Sequence, residues 1–541
     1  MSGPMTHALG RTALELADRL VTMPLLRWTW RGQGEGIYTG ELPDFRPTDP
    51  EAVREMMAGR YLLASKLVET GGVSPFGIDV DHPDWWNNLQ AFSWLRHFRD
   101  LRDAGEKQFA RTLVLDWIGR EGQFDRDSWA PTLTALRVLN WLRHLPLLFD
   151  GATPEQARTI QHSLGTQIQS LRVRIGLAPD PLDRLFAAIG LFGAALAQRD
   201  DQPGMDAAVA RLDALLAAQL DADGLHLSRN PRLQLTLLTE LASLRRAAGR
   251  HTSPVMAELA NRIDRMHEAL DALTLTSGEL AYFNGCGQVP HDILVAVQAH
   301  APSASRRSRL LGGYGILRDG DAVLIGDSGL RPPAGFDAEA HAGALAFEFA
   351  HGSELIVGSC GPAPADLPES RALFRQGIAH SAPTIDAEDA VAPSRGVFAD
   401  GTPAPAMTLD TAEHMLVMTT SGYAGRFGAA IERRLTLLAG GTTLVGQDRI
   451  IADGTPEGHL AIRFHLAPGI RVRRSGGEGI VRLTLPDGQL WSFLWEGASL
   501  REDDSVRQSA YLGFNRTRQL VLEAEVAPGR EIAWIFTRDQ D

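Results

Sequence analysis

The polarity pattern changes period once along the chain. From the amino terminus to about residue 270, apolar side chains recur at i, i+3, i+4 and i+7, the signature of amphipathic helices. MTHALGRTALELADRLVTM, AVREMMAGRYLLASKLVET, WWNNLQAFSWLRHFRDLRD and PTLTALRVLNWLRHLPLLF read this way. So do PEQARTIQHSLGTQIQSLRVRI, DRLFAAIGLFGAALAQR, GMDAAVARLDALLAAQL, LQLTLLTELASLRRAAG and PVMAELANRIDRMHEALDAL. Gly, Pro and Asp punctuate them. Helices in series with short loops predict antiparallel pairs over residues 1–270, for which an open or closed ring, an α/α toroid, is one solution. No strict repeat declares a solenoid.

From about residue 310 the period is two. YGILRDGDAVLIGDSG and ALAFEFAHGSELIVGS read as hairpins with Gly-led turns. ERRLTLLAGGTTLVGQDRI, GIVRLTLPDGQLWSFLW, RQLVLEAEV and EIAWIFTRD continue the pattern. Strands without intervening helices predict an antiparallel β-sandwich over residues 310–541. Residues 271–309 connect the two, so the expected class is α+β and multidomain. A cleft is expected at the junction.

Composition adds bounds. A chain of 541 residues exceeds one core. Hydrophobic content of 44% and charged content of 22% are those of an ordinary globular protein. Every apolar run is shorter than the roughly 20 residues of a membrane span. The amino terminus lacks a basic stretch followed by an apolar one, so the expected location is cytoplasmic, or periplasmic if the start is misplaced. Cys286 and Cys360 form neither a disulfide framework nor a CxxC pair. A net charge of −13 argues against non-specific nucleic-acid binding. Lys66 and Lys107 are the only lysines, so positive charge is carried by arginine, which grips carboxylates in bidentate fashion. Oligomeric state leaves no signal.

Local motifs sharpen the picture. The helical half carries WAPTLTALRVLNW and DGLHLSRNP. The sandwich carries AEAHAGALAFEF, FRQGIAHSAPTID, IERRLTLLAGGTTLVGQDRI and IRFHLAPGI. In this order they resemble the heparinase II/III family of polysaccharide lyases: AEAHAG is similar to that family's H-x-H-x-D, and FRQGIAHSAPT to its F-R-x-x-x-A-H-[NS]-T. The resemblance implies a carbon–oxygen lyase that cleaves an acidic, uronate-containing polysaccharide or oligosaccharide by β-elimination. One group neutralises the substrate carboxylate, a base removes the C5 proton, and an acid protonates the leaving oxygen. In the family an Asn or His neutralises, a Tyr and a His move protons, and zinc held by two His and an Asp supports the site.

The sequence departs from that pattern. LAPDPLDRLFAAIGLFGAAL lacks the family's Asn-His pair, and Leu233 stands near the place of its tyrosine. Glu339, His341 and Gly343 occupy the H-x-H-x-D positions, His380 matches the other zinc-site histidine, and Gly358, Ser359 and Cys360 fall near the zinc-site Asp. These losses support an alternative, a non-catalytic carbohydrate-binding or assembly protein on the lyase scaffold. A third option is altered chemistry at Glu339.

His341 alone reads as an ordinary residue at a strand entrance; with His380 it becomes a base or metal pair. Zinc is the candidate cofactor, with Cys360 as the third ligand beside His341 and His380. In AYFNGCG, Tyr282 is a candidate proton donor and Asn284 a candidate carboxylate partner, against the plain reading of a turn. In LHLSRNP, Arg229 and His226 precede a helix, where anions are favoured. Arg137 and Asn140 share a helix face and are candidates to line the ring, against interhelical packing. Arg375 is expected on the strand edge leading to His380, facing the other way by parity. Trp85, Trp86, Trp94, Trp129 and Trp141 are candidates for stacking on sugars.

Overall fold

The computed structural model describes residues 4–30, 38, 42–198, 202–249, 253–302, 306–364, 367–390, 404–452, 454–474, 479–510 and 512–539. The chain divides into two compact units that interleave in sequence. The first comprises Met1–Leu220, Leu237–Asp264 and Asp292–His300; the second comprises Asp221–Thr236, Arg265–His291 and Ala301–Asp541.

The first unit is helical. Its helices are α1 (Pro4–Val21), α2 (Pro50–Met57), α3 (Pro83–Ala91), α4 (Ala104–Glu121), α5 (Pro131–Arg143), α6 (Leu145–Phe149), α7 (Pro154–Arg174), α8 (Pro181–Ala197) and α9 (Gln202–Gln219), with most of α10 (Pro231–Ala247), α11 (Pro254–Ala272) and α12 (His291–Gln298). Helix starts follow capping chemistry. Asp49, Asp103 and Asp180 accept backbone N–H groups, and Thr153 forms a reciprocal capping box with Gln156. Proline opens α2, α5, α7 and α8, where its missing N–H costs nothing. Gly190 and Gly193 let α8 approach α5 closely: a Cβ at Gly193 would lie 2.3 Å from Leu139 Cδ2.

Three predicted helices are broken. AVREMMAGRYLLASKLVET ends its helix at Met57 and then forms a hairpin, β1 (Arg60–Leu63) with β2 (Lys66–Glu69). Gly59 at φ +79° stops the helix, and Ala64 and Ser65 at φ +47° and +63° make the turn. In the second segment Phe92 at φ +57° separates α3 from a 3₁₀ turn, and in the third His144 separates α5 from α6.

The second unit contains two antiparallel sheets. Its strands are β3 (Arg309–Leu311), β4 (Tyr314–Asp319), β5 (Ala322–Asp327), β6 (Ala346–His351), β7 (Glu354–Gly358), β8 (Pro383–Ile385), β9 (Ala406–Asp410), β10 (Met415–Thr420), β11 (Ala430–Leu438) and β12 (Thr443–Ile451). They continue as β13 (His459–Leu466), β14 (Arg471–Arg474), β15 (Ile480–Thr484), β16 (Leu490–Glu496), β17 (Ser499–Ser509), β18 (Gly513–Glu525) and β19 (Glu531–Arg538). One sheet runs β14-β15-β16-β19-β12-β11-β10-β9, the other β17-β18-β13-β7-β6-β5-β4-β3, with β8 on β13. Both contribute to one apolar core, which includes Phe347, Phe349 and Phe464 from the second and Trp491, Trp534 and Phe536 from the first. Helical unit and sandwich match the predicted class.

Candidate functional site

The sequence candidates divide between the units. Arg137 and Asn140 lie in the helical interior, both essentially without exposure. Arg137 donates to Gln167 Oε1 (2.7 Å), Ser128 O (2.9 Å) and Gln90 O (3.1 Å), and its guanidinium lies 4.1 Å from the Trp117 ring centroid. Asn140 donates to Ala91 O (2.7 Å) and accepts from Arg46 (2.6 Å). Both side chains join helices internally rather than presenting to a cavity. Trp85, Trp94, Trp129 and Trp141 are at most 1% exposed, so these four are core residues and not platforms for a sugar.

Trp86, also in the helical unit, is partly exposed, and the remaining candidates lie in the second unit. His341 sits in the loop before β6, and a 3₁₀ turn at Gly377–Ala379 delivers His380. Their facing nitrogens, His341 Nδ1 and His380 Nε2, are 3.2 Å apart. Burial, then His380, then Arg375 and Arg371 hold His341 well below the ordinary imidazole range. Burial alone takes His380 down to about 4. Both rings are neutral at pH 7.

A buried ion pair fixes this juxtaposition. Arg433 on β11 forms a bidentate pair with Asp448 on β12, at 2.7 and 3.0 Å. Its third nitrogen donates to Leu345 O (2.8 Å), at the end of the His341 loop, and to Ser381 O (3.1 Å), next to His380. Asp448 also accepts from Trp534 Nε1 (2.9 Å).

Asn284 extends the chain of contacts. It accepts from the His341 backbone N–H (3.2 Å) and donates to Tyr314 Oη (2.7 Å), which donates to Arg229 O (2.6 Å). Arg229 donates to Asp327 Oδ1 (2.6 Å), Gly312 O (2.7 Å) and Leu330 O, and packs 4.2 Å from the Tyr314 ring centroid. Arg229 was expected to meet a ligand anion; its guanidinium is instead engaged by β5. His226 is buried and accepts from the Ser228 N–H through Nδ1 (3.1 Å), which shapes the turn before α10.

Tyr282 belongs to a different cluster. The Arg507 guanidinium lies 3.7 Å from its ring centroid and reaches Glu279 (3.2 Å), Ser359 O (3.0 Å) and Glu348 (3.5 Å). Burial raises the Tyr282 phenol above its ordinary range, against Arg507, which lowers it. Glu348 is fully buried in mid-strand, and burial raises its carboxyl too.

Glu339 is half-exposed and pairs with Arg371, so it lacks the apolar enclosure of a general acid. Arg375 lies after the short helix α13 (Arg371–Phe374), not on a strand edge as expected. It braces the His341 loop by donating to Ala340 O (2.8 Å) and Asp337 O (3.4 Å).

The donor set around the two histidines bears on the zinc expectation. Two ligands of one tetrahedral zinc, with bonds of ~2.0–2.1 Å, sit roughly 3.3 Å apart, close to the spacing of the two histidines. Among the described residues, however, no group of three His, Cys, Asp or Glu side chains is placed to hold a metal ion. Cys360 turns to His465 Nδ1 (3.6 Å) and Ser505 Oγ (3.9 Å), and burial pushes its thiol up to about 11.

Sequence reasoning missed Tyr314, Asp327, Glu348, Arg433, His465 and Arg507. Glu348 carried a signal, an acid in mid-strand among AFEFAH whose every position is buried. Asp327 carried the same signal at the end of AVLIGD.

Comparison with known proteins agrees with this architecture. Residues 301–535 match the family model described as heparinase II/III-like, C-terminal. The chain is 28% identical to FtsZ-localized protein C of Caulobacter vibrioides, over 94% of this chain and 93% of that one. Among solved structures, heparinase III superposes with a TM-score of 0.71 at 12% identity, covering 95% of this chain and 88% of that one. Heparan sulfate lyase HepC of Pedobacter heparinus gives 0.60 at 14%, over 95% and 87%. Residues 301–535 therefore resemble the heparinase II/III-like C-terminal domain, and the chain shares the fold of the solved heparinase III structure.

Proposed function

We propose that the chain is a non-catalytic assembly protein on the lyase scaffold, acting with FtsZ in the cytoplasm. The observation that carries this reading is the engagement of the elimination groups. Arg229 is paired with Asp327, Asn284 is bonded on both sides, and Tyr282 lies under Arg507. A group that must neutralise a substrate carboxylate needs free donors, and Arg229 and Asn284 direct theirs to the protein. A full-length relative named for FtsZ localisation supports the same reading.

A second reading, a lyase acting on an acidic polysaccharide, is favoured by the His341–His380 pair. A neutral imidazole is competent as a base at pH 7. Elimination creates a conjugated double bond that absorbs in the ultraviolet, so one experiment separates the two. The full chain is incubated with heparin-like, alginate-like and pectin-like polymers, with and without zinc, and co-sedimentation with FtsZ polymers is followed in parallel. The expected result is no absorbing product with any substrate, and FtsZ co-sedimentation retained in His341→Ala. Product formation that His341→Ala abolishes would establish the lyase and sink the assembly reading.

A further inference from the structure

The edge strand of each sheet borders one cleft. β3 ends one sheet order and β9 ends the other. Beside β3 and the turn joining β9 to β10 lies a cleft of about 650 Å³, whose lining includes Asp223, Arg307, Arg309, Arg318, Thr411 and His414. Arginine converges here in a chain whose net charge is −13.

The local charge is only partly answered. Arg309 lies 3.1 Å from Asp223 and 3.7 Å from Glu268, and Arg306 lies 3.6 Å from Asp271. Arg318 donates to the backbone carbonyls of Asp271 (3.2 Å) and Thr274 (3.1 Å), which satisfy its protons without cancelling its charge. Arg307 is exposed and has no hydrogen bond or ion pair among the described residues. The β3–β4 register pairs Arg309 with Ile316, and continuing it sets Arg307 opposite Arg318. Like charges directly opposite on neighbouring strands repel, so a negative group between them is favoured. His414 Nδ1 is buried at the cleft without a partner among the described residues.

We infer that this cleft docks an acidic segment of a partner polypeptide, laid as an extended strand along β3. Among the described residues β3 is hydrogen-bonded on one side only, to β4. An added strand takes up the open backbone groups, and its alternate side chains reach the same wall. Carboxylates at those positions meet Arg307 and Arg318 in the fork geometry guanidinium prefers. An acidic polysaccharide would satisfy the charge as well, but the cleft lining offers no Trp, Tyr or Phe face for a sugar ring. None of the lining residues belongs to the histidine cluster, so the inference holds whether or not the fold is catalytic.

The test uses the full chain and fluorescence anisotropy. The probes are a labelled peptide of alternating Glu and Val, its Lys–Val counterpart, and a labelled uronate oligosaccharide. The acidic peptide is expected to bind, less tightly as salt rises, and the basic peptide not to bind. Arg307→Glu weakens binding by about tenfold or more, as reversal of a paired charge does. Arg471→Glu, on the far edge of the other sheet, leaves binding unchanged. If charge reversal perturbs the circular dichroism, Arg307→Gln replaces it and is expected to weaken binding in the same direction. Absence of acidic-peptide binding, equal binding by the Arg307 variants, or binding of the oligosaccharide alone overturns the inference.

Discussion

At the scale of single residues, buried histidine sets a pH dependence. Burial lowers the pKa of His226 from 6.5 to about 4, and its Nδ1 accepts the Ser228 N–H in the neutral form. As pH falls, the unfolded chain takes up this proton before the folded one. The stability contributed is therefore complete above pH ~6.5 and lost progressively down to about 4, on the order of 3 kcal/mol in all. Urea unfolding across that window is expected to show a falling midpoint, and His226→Asn a flatter dependence; an unchanged slope would refute this assignment. His380 and His465, also lowered chiefly by burial, add to the trend with the same sign. The sequence could single out His226, Arg229 and Asn284, because residue type and turn context mark polar groups worth watching. It could not show that they were already satisfied. Asp327 lies 98 positions from Arg229, and Tyr314 lies 30 from Asn284. A partner that distant is invisible to spacing, so a structural arginine and a substrate-binding one look alike in the sequence.

Elements were legible where one period dominated. The helices from α7 to α11 and the hairpins β4–β5 and β6–β7 follow the polarity pattern closely. The β1–β2 hairpin was not legible, because Tyr61, Leu62 and Leu63 fit either period and the turn holds Ala64 and Ser65 at positive φ, where neither residue type is favoured. Arg375 was misplaced for a related reason, since the chain before His380 turns helically where a strand was expected. Arg433 has the larger consequence at this scale. It joins β11 and β12 to the two loops that carry His341 and His380. Arg433→Met leaves Asp448 buried without its partner and is expected to cost about 3–5 kcal/mol. Arg433→Met combined with Asp448→Leu should recover much of that loss, because two apolar groups leave no orphan charge. Imidazole NMR of the double variant should still show broadened His341 and His380 signals, since both loop carbonyls have lost their donor. Sharp, unshifted signals would mean that Arg433 does not position the pair.

On the scale of the whole molecule, the span recognised by the family model is not the folding unit. The core of the sandwich includes Leu225, Leu273, Leu275 and Phe283, all at most 3% exposed and all outside residues 301–535. At roughly 1.5–3 kcal/mol for each buried large side chain, their loss is on the order of 8 kcal/mol, comparable with the entire stability of a typical domain. A fragment of residues 301–541 is expected to lack a cooperative urea transition, and one of residues 221–541, which restores all four side chains, to regain it. A cooperative transition in the shorter fragment would refute this account.

The interleaving of the units also governs synthesis. The helical unit ends with Asp292–His300, and that segment emerges only after Asp221–Thr236 and Arg265–His291, which belong to the other unit. Multidomain chains usually finish the amino-terminal domain while the rest is still being translated. Here the ribosome delivers the pieces out of turn. The helices must wait for residue 300 to leave the exit tunnel, and the early pieces of the sandwich must wait for its strands. A nascent chain stalled between residues 236 and 300 therefore exposes apolar surface from both units at once, which makes it a strong client for ribosome-bound chaperones.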